Sequence, residues 1–258
     1  MCVGEAQMIE EAGDGPFIRD GLVWRRTRPW SANVHLLLAH LHAKGFDAAP
    51  RPAGCDREWE RVTFLDGRTA DLDLDQDARS DRALTSAARL LRRYHDCTVD
   101  FAAAHAGAVW QLPAQIPFEI ICHGDFAPYN VVFAGQEVSG IIDFETAHPG
   151  PRQWDLAYAV YRWAPLSLTA PAELSATDIE IRRVRRFLDA YGLANGLRAD
   201  VIDMVIERLE ALVAFMERQA AGGSEKYRAH IKAGHDELYR ADIAYIRRQK
   251  AVIIAAIG

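Results

Sequence analysis

Short apolar runs closed by polar residues fill the middle of the chain. Glu119 to Cys122 and Asn130 to Phe133 read as strands flanking a tight loop, and Ser139 to Phe144 reads as a third strand reached through the turn Ala134-Gly135-Gln136-Glu137. Pairing of the last two brings Asp143 back beside Asn130. Upstream, the pattern predicts a small sheet with one helix. Phe17 to Arg19 and Leu22 to Arg25 flank Asp20-Gly21, a pair favoured in two-residue hairpin turns. Val34, Leu37, Leu38 and Leu41 recur at helical spacing, with Ser31 as N-cap and Gly45 as the stop. Pro50 to Cys55 and Arg61 to Leu65 form a further strand pair around Asp56-Arg57-Glu58.

From Ser80 the period becomes helical. Leu84, Ala87, Leu91 and Tyr94 share a face that Ser80 is placed to cap, with His95 at its end as a packed residue. Gly107 to Pro117 is a loop. Leu156, Ala159, Val160 and Trp163 mark a buried helix, broken by Pro165 and Pro171. Asp178 to Tyr191 is another, closed by Gly192. Val201 to Ala221 is the longest, and after Gly222-Gly223 a last helix runs from Ser224 or Glu225 through Tyr227, Ile231, Leu238 and Ile246.

Three polar residues stand at the ends of the central runs: Asp125, Asn130 and Asp143. A carboxylate, an amide five residues on and a second carboxylate from a neighbouring strand suit a hard cation such as magnesium, which takes oxygen ligands and keeps waters or phosphates in its other positions. Asp125, left free of the metal, can then accept a proton from a hydroxyl. A lone H-G-D is often only a turn, and a lone D-F says less; both at this spacing, with an acidic residue opening the next helix, rarely arise by chance.

The string H-G-D-x-x-x-x-N, then I-I-D-F-E, then G-P-x-x-x-D-L-A resembles the aminoglycoside phosphotransferase family, which shares its fold with choline kinases and, more distantly, eukaryotic protein kinases. The likeness is good over Ala83 to Trp163 and general elsewhere. It implies an α+β, two-lobed protein kinase-like fold, with a small N-terminal nucleotide-binding lobe at 1–66 and a mainly helical catalytic and acceptor-binding lobe at 67–258. It implies ATP and Mg2+ as cofactors, Asp125 as catalytic base, and Asn130 and Asp143 as magnesium ligands. His123 and Asp155 become supports of the catalytic loop, Asp155 by bonding its backbone. The strand ending near Phe64 and Leu65 leads into a hinge beginning at Asp66-Gly67, whose backbone holds the adenine.

One departure stands out. Such kinases carry a lysine on the third strand that contacts the phosphates and pairs with a glutamate on the following helix. Here no lysine precedes Lys44, and no acidic residue lies between Gly21 and Phe46. Arg25 or Arg26 stands at about the right place, and Val34 or His35 where the glutamate would be. Strand alternation sends the two arginines to opposite faces, so one of them points into the cleft. Gly13-Asp14-Gly15 reads either as a phosphate-approaching turn or as a plain one.

With 258 residues and 50% hydrophobic content, the chain can bury a sizeable core. A net charge of -6 argues against a nucleic-acid partner, and no apolar segment has the roughly 20 residues needed to cross a bilayer. The acidic start Met1 to Glu11 is unlike a secretory signal, so the cytoplasm is the default compartment. Cys2, Cys55, Cys97 and Cys122 are scattered, predicting reduced, buried thiols. The expected partner is a small-molecule acceptor; oligomeric state is not encoded in any pattern. Glu207, Glu210, Glu217, Asp236, Glu237 and Asp242 would suit a polyamine or quaternary amine if they faced a pocket, whereas helical spacing favours outward-facing acids. Two functions follow: a small-molecule kinase, or a catalytically weak binding or immunity protein that keeps the kinase scaffold.

Overall fold

The computed structural model describes residues 15–72 and 75–258. Asp20 and Gly21, both at positive φ (53° and 70°), turn strand β1 (Phe17–Arg19) onto β2 (Leu22–Arg26), as the tight hairpin requires. With β3 (Pro52–Cys55) and β4 (Trp59–Thr63) they form an antiparallel sheet of order β1-β2-β4-β3. Asp56 Oδ1 accepts from the backbone N–H of Glu58 and Trp59 and starts β4 two residues earlier than expected. Helix α1 (Ser31–Ala43) buries Val34, Leu37, Leu38 and Leu41. Its N-cap is Trp30, not Ser31; Ser31 sits in the first turn, and its Oγ accepts from the Arg28 N–H at 2.9 Å.

Between sheet and helices the chain passes Gly67, whose φ of 138° and neighbours admit no side chain. An added Cβ would overlap Val132 Cγ1 and stand 2.8 Å from Phe133 O. The Phe133 N–H then bonds Arg68 O at 2.8 Å. Asp75 caps the short α2 (Gln76–Arg79), and Ser80 caps α3 (Asp81–Ala104), as its sequence position predicts.

Strand β5 (Ile120–Cys122) pairs with β8 (His148–Gly150), a strand the sequence pattern did not reveal. β6 (Val131–Ala134) and β7 (Glu137–Ile141) form the expected hairpin. β7 stops at Ile141 rather than Phe144, because Asp143 takes the left-handed conformation (φ 61°) and opens a single tight turn over Phe144–Thr146. Helices α4 (Arg152–Trp163), α5 (Thr177–Tyr191) and α6 (Arg198–Ala221) follow. The expected last helix is two, α7 (Glu225–Lys232) and α8 (His235–Ile257), separated at Gly234 with φ 80°. One apolar core runs from Val34 and Leu38 through Leu91, Trp163 and Leu209 to Ile257. Cys122 is buried, whereas Cys55 is exposed, contrary to expectation, because it lies on the edge strand β3. Most of Gly13-Asp14-Gly15 and the acidic start of the chain lie outside the described residues.

Candidate active site

The loop after β5 hangs from one buried carboxylate. Asp155, in the first turn of α4, accepts from the backbone N–H of His123 at 2.7 Å and of Gly124 at 2.9 Å. His95 Nε2 donates to it at 3.0 Å, and the other ring nitrogen meets the Tyr191 hydroxyl at 2.8 Å. Burial works to raise the Asp155 pKa, but the hydrogen bonds and charge of His95 and the loop N–H donors outweigh it, bringing it down to about 2. Burial keeps His95 below the usual histidine range. Gly124 has φ 82°, and a Cβ there would lie 2.5 Å from Thr146 O, so the loop accepts only glycine. His123 Nε2 donates to Ile142 O at 2.9 Å, joining the loop to the strand that carries Asp143.

Asp125 projects from this loop. Its Oδ1 accepts from the Tyr129 hydroxyl at 2.8 Å and its Oδ2 from Asn130 Nδ2 at 2.8 Å. Burial raises its pKa, and the Tyr129 hydrogen bond draws it part of the way back. Because the Asn130 nitrogen is tied to Asp125 and its carbonyl, the amide oxygen is the atom left for a cation. The Ile142 N–H bonds Asn130 O at 3.0 Å, which holds the two strand ends together as predicted. Asn130 and Asp143 line one cavity of about 460 Å³; Asp125 lines a second of about 380 Å³; Glu145 and Lys226 border both. Two oxygen donors suit magnesium, which is usually held by one or two protein ligands plus phosphates. Among the described residues no cluster of three or more His, Cys, Asp or Glu could hold a metal.

The larger cavity opens between the sheet and the loop. Phe64, Leu65 and Gly67 lie on its wall, whereas Asp66 is exposed and off it. Arg25 and Arg26 both border it but point apart. Arg26 lies over the Trp59 ring at 4.2 Å, on the outer face with Trp24 and Arg61. Arg25 ion-pairs with Glu60, directly opposite it in the strand register, and reaches Asp143 Oδ1 at 3.2 Å. His35 Nε2 stands 3.5 Å from the other Glu60 oxygen. Burial would raise Glu60, yet His35 and Arg25 leave it below the ordinary carboxylate range. The acid partner therefore comes from the neighbouring strand, not from α1. Glu60 is not legible where the acid partner is expected, on the following helix; the cross-strand register with Arg25 is the signal that finds it.

The smaller cavity lies beyond Asp125, against α4, α6 and α7. None of the six helical acids lines it. Glu210 pairs with Arg247 and Glu217 with Arg240 on the outside, Glu207 is exposed, and Asp242 is buried, accepting from the Tyr161 hydroxyl at 2.7 Å. The wall carries Arg162, Arg208, Trp154, Tyr158 and His148 instead. The spacing of the first four along α4 and α6 resembles that of ordinary core residues, so no motif announces them.

The fold is that of protein kinase-like small-molecule kinases. A choline/ethanolamine kinase family protein from Mesorhizobium loti superposes with a TM-score of 0.62 at 16% identity, covering 98% of this chain and 92% of its own. APH(2")-IIia, solved with GDP and kanamycin, superposes with a TM-score of 0.59 at 16% identity, covering 93% and 94%. The sequence profile of the phosphotransferase enzyme family (APH) matches residues 98–199. The trifolitoxin immunity protein of Rhizobium leguminosarum bv. trifolii is 31% identical over 198 residues, 73% of this chain and 74% of that protein. The chain belongs to the phosphotransferase enzyme family. No helix among the described residues is long and apolar enough to cross a membrane.

Proposed function

We propose that the protein transfers the γ-phosphoryl group of ATP to a hydroxyl of a small molecule. The observation that carries this reading is the position of the H-G-D loop between two cavities, with Asn130 and Asp143 on one wall and Asp125 on the other. Structures of the same fold with bound ATP and streptomycin, or GDP and kanamycin, support a nucleotide in the larger cavity. There Phe64 and Leu65 flank the base, and Arg25, steadied by Glu60, meets the phosphates. Asn130 and Asp143 would hold magnesium, which when bound neutralises phosphate charge. Asp125 takes the proton of the acceptor hydroxyl as its oxygen bonds to the γ-phosphorus and the bond to ADP breaks. Positioning and charge do most of the work, as is usual for phosphoryl transfer.

A second reading has its own support. A relative 31% identical over 198 residues is named for immunity to a toxin, which fits a scaffold used to bind rather than to turn over. Radiolabelled ATP incubated with the protein, magnesium and a panel of hydroxylated compounds decides between them. Label transferred to a compound supports the kinase; nucleotide binding without transfer to any compound supports the binding protein.

A further inference from the structure

The acceptor-side cavity has the wrong charge for a polyamine. Arg162, Arg208, Arg218 and Lys226 border it, against the carboxylates of Asp125 and Glu145. Burial lowers His148 to about 4, so its ring is neutral near pH 7 and adds no charge of its own.

None of the three arginines has a carboxylate partner among the described residues, and Arg208 and Arg162 are the two with an unpartnered buried donor. Arg208 is 5% exposed and makes a single hydrogen bond, from one terminal nitrogen to Gly124 O at 2.7 Å; its Nε has no partner. The guanidinium lies 4.8 Å from the Tyr158 ring and 5.5 Å from that of Trp154. Arg162 is held by stacking, 5.1 Å from the Tyr129 ring and 5.9 Å from that of Tyr161, and its Nε is likewise buried and unpartnered. The indole N–H of Trp154 is a third buried donor with no partner.

The chain's other buried guanidiniums are bound more fully, although the Nε of Arg198 also lacks a partner. Arg183 spends all three nitrogens on the carbonyls of Trp163 and Arg79, and Arg198 pairs with Asp189. An unpaired charge held away from water is costly, and two on the lining of one cavity, Arg208 buried and Arg162 half-buried, call for a counterion that no described residue supplies. A guanidinium fork matches carboxylate and phosphate oxygens, and flat aromatic walls accept a planar apolar body. An ammonium placed here would face like charge.

We infer that the acceptor is a small anionic hydroxy compound, its carboxylate or phosphate-like group held by Arg162 and Arg208 and its hydroxyl turned toward Asp125. The orientation of the hydroxyl rests on the kinase reading; the anion site does not.

Matched probes that differ only at one end test it: para-hydroxymethylbenzoate, its phosphonate analogue, para-hydroxymethylbenzamide and para-hydroxymethylbenzylamine, with kanamycin as the polycation. Affinities are measured by ligand-observed NMR titration of the full chain, and magnesium-ATP binding is measured separately by calorimetry. The anionic probes are expected to bind at least about tenfold tighter than the amide, and the amines weakest. Which of the two anions is preferred tells carboxylate from phosphate recognition. Arg162→Met should erase the preference, and Arg162→Lys, which keeps the charge without the fork, should restore part of it. Amine or kanamycin binding as tight as the anions, no binding of any probe, or an anion preference untouched in both Arg162 variants overturns the inference. Anion preference without nucleotide binding removes the kinase reading and leaves the site; nucleotide binding without the preference does the reverse.

Discussion

The two cavities on either side of Asp125 are built in opposite ways. On the proposed nucleotide side the groups nearest Asp143 are paired within the protein: Arg25 with Glu60 and Asp143, and Glu60 with His35 as well. On the proposed acceptor side Arg162 and Arg208 lie against rings and, among the described residues, have no acid paired with them. A site whose ligand brings both phosphate and metal benefits from pre-set opposite charges, whereas a wall of unpaired cations is complete only with an anion present. The nucleotide side is thus organised by backbone register and short motifs, and the acceptor side by side chains from distant helices.

The largest expected effect is on the stability of the loop that both sides share. Asp155→Ala leaves the N–H groups of His123 and Gly124 buried without acceptors, at about 1 to 3 kcal/mol for each. Urea denaturation should show that loss, while nucleotide affinity in the remaining native fraction changes little. A variant with unchanged stability would separate the loop from its clasp and break the comparison.

The acceptor side is probed by pH through His148, with His95, also held below the usual histidine range by burial, losing its contribution in the same direction. His148 is buried and neutral, with a pKa lowered to about 4 against about 6.5 unfolded. Its contribution is present above the unfolded value and is lost as pH falls from about 6.5 toward 4, on the order of 3 kcal/mol. Asp155, also depressed, adds a further loss only below its unfolded pKa, as pH falls toward 2. His148→Asn keeps a donor for Thr146 O and should reduce the slope of the stability profile between pH 6.5 and 4, leaving the part that belongs to His95. A profile identical to the parent's would place the acid-sensitive group elsewhere.

The smallest effect belongs to the nucleotide side. Arg25→Ala should weaken magnesium-ATP binding about tenfold, on the order of 1.4 kcal/mol, and Arg26→Ala, whose guanidinium lies over Trp59, should be close to neutral. Calorimetry on the two variants reads this directly; equal losses would mean that strand alternation does not select the cleft-facing arginine.

The same contrast explains what the sequence revealed. Asp125, Asn130, Asp143 and Asp155 stand within 31 residues of one another, and local turns and one hairpin bring them together, so spacing suffices. The hairpin at Asp20-Gly21, the Ser80 cap and the apolar face of α1 were legible because each depends on neighbours along the chain. β8 was not, since His148-Pro149-Gly150 has no strand-like pattern and owes its conformation to pairing with β5. The split between α7 and α8 depended on Gly234 taking a positive φ inside a continuous helical period. Glu60 and the arginines of α4 and α6 become site residues only through tertiary packing, which no window along the chain contains.

Division of labour across the H-G-D loop is tested most directly by magnesium-ATP calorimetry on the parent protein, Asp143→Ala and Asp125→Asn. The parent should bind nucleotide in a magnesium-dependent way, Asp143→Ala should lose that dependence, and Asp125→Asn, altered on the other cavity, should bind nearly as the parent does. Equal loss of binding in both variants, or no binding by the parent at millimolar nucleotide and magnesium, would contradict it.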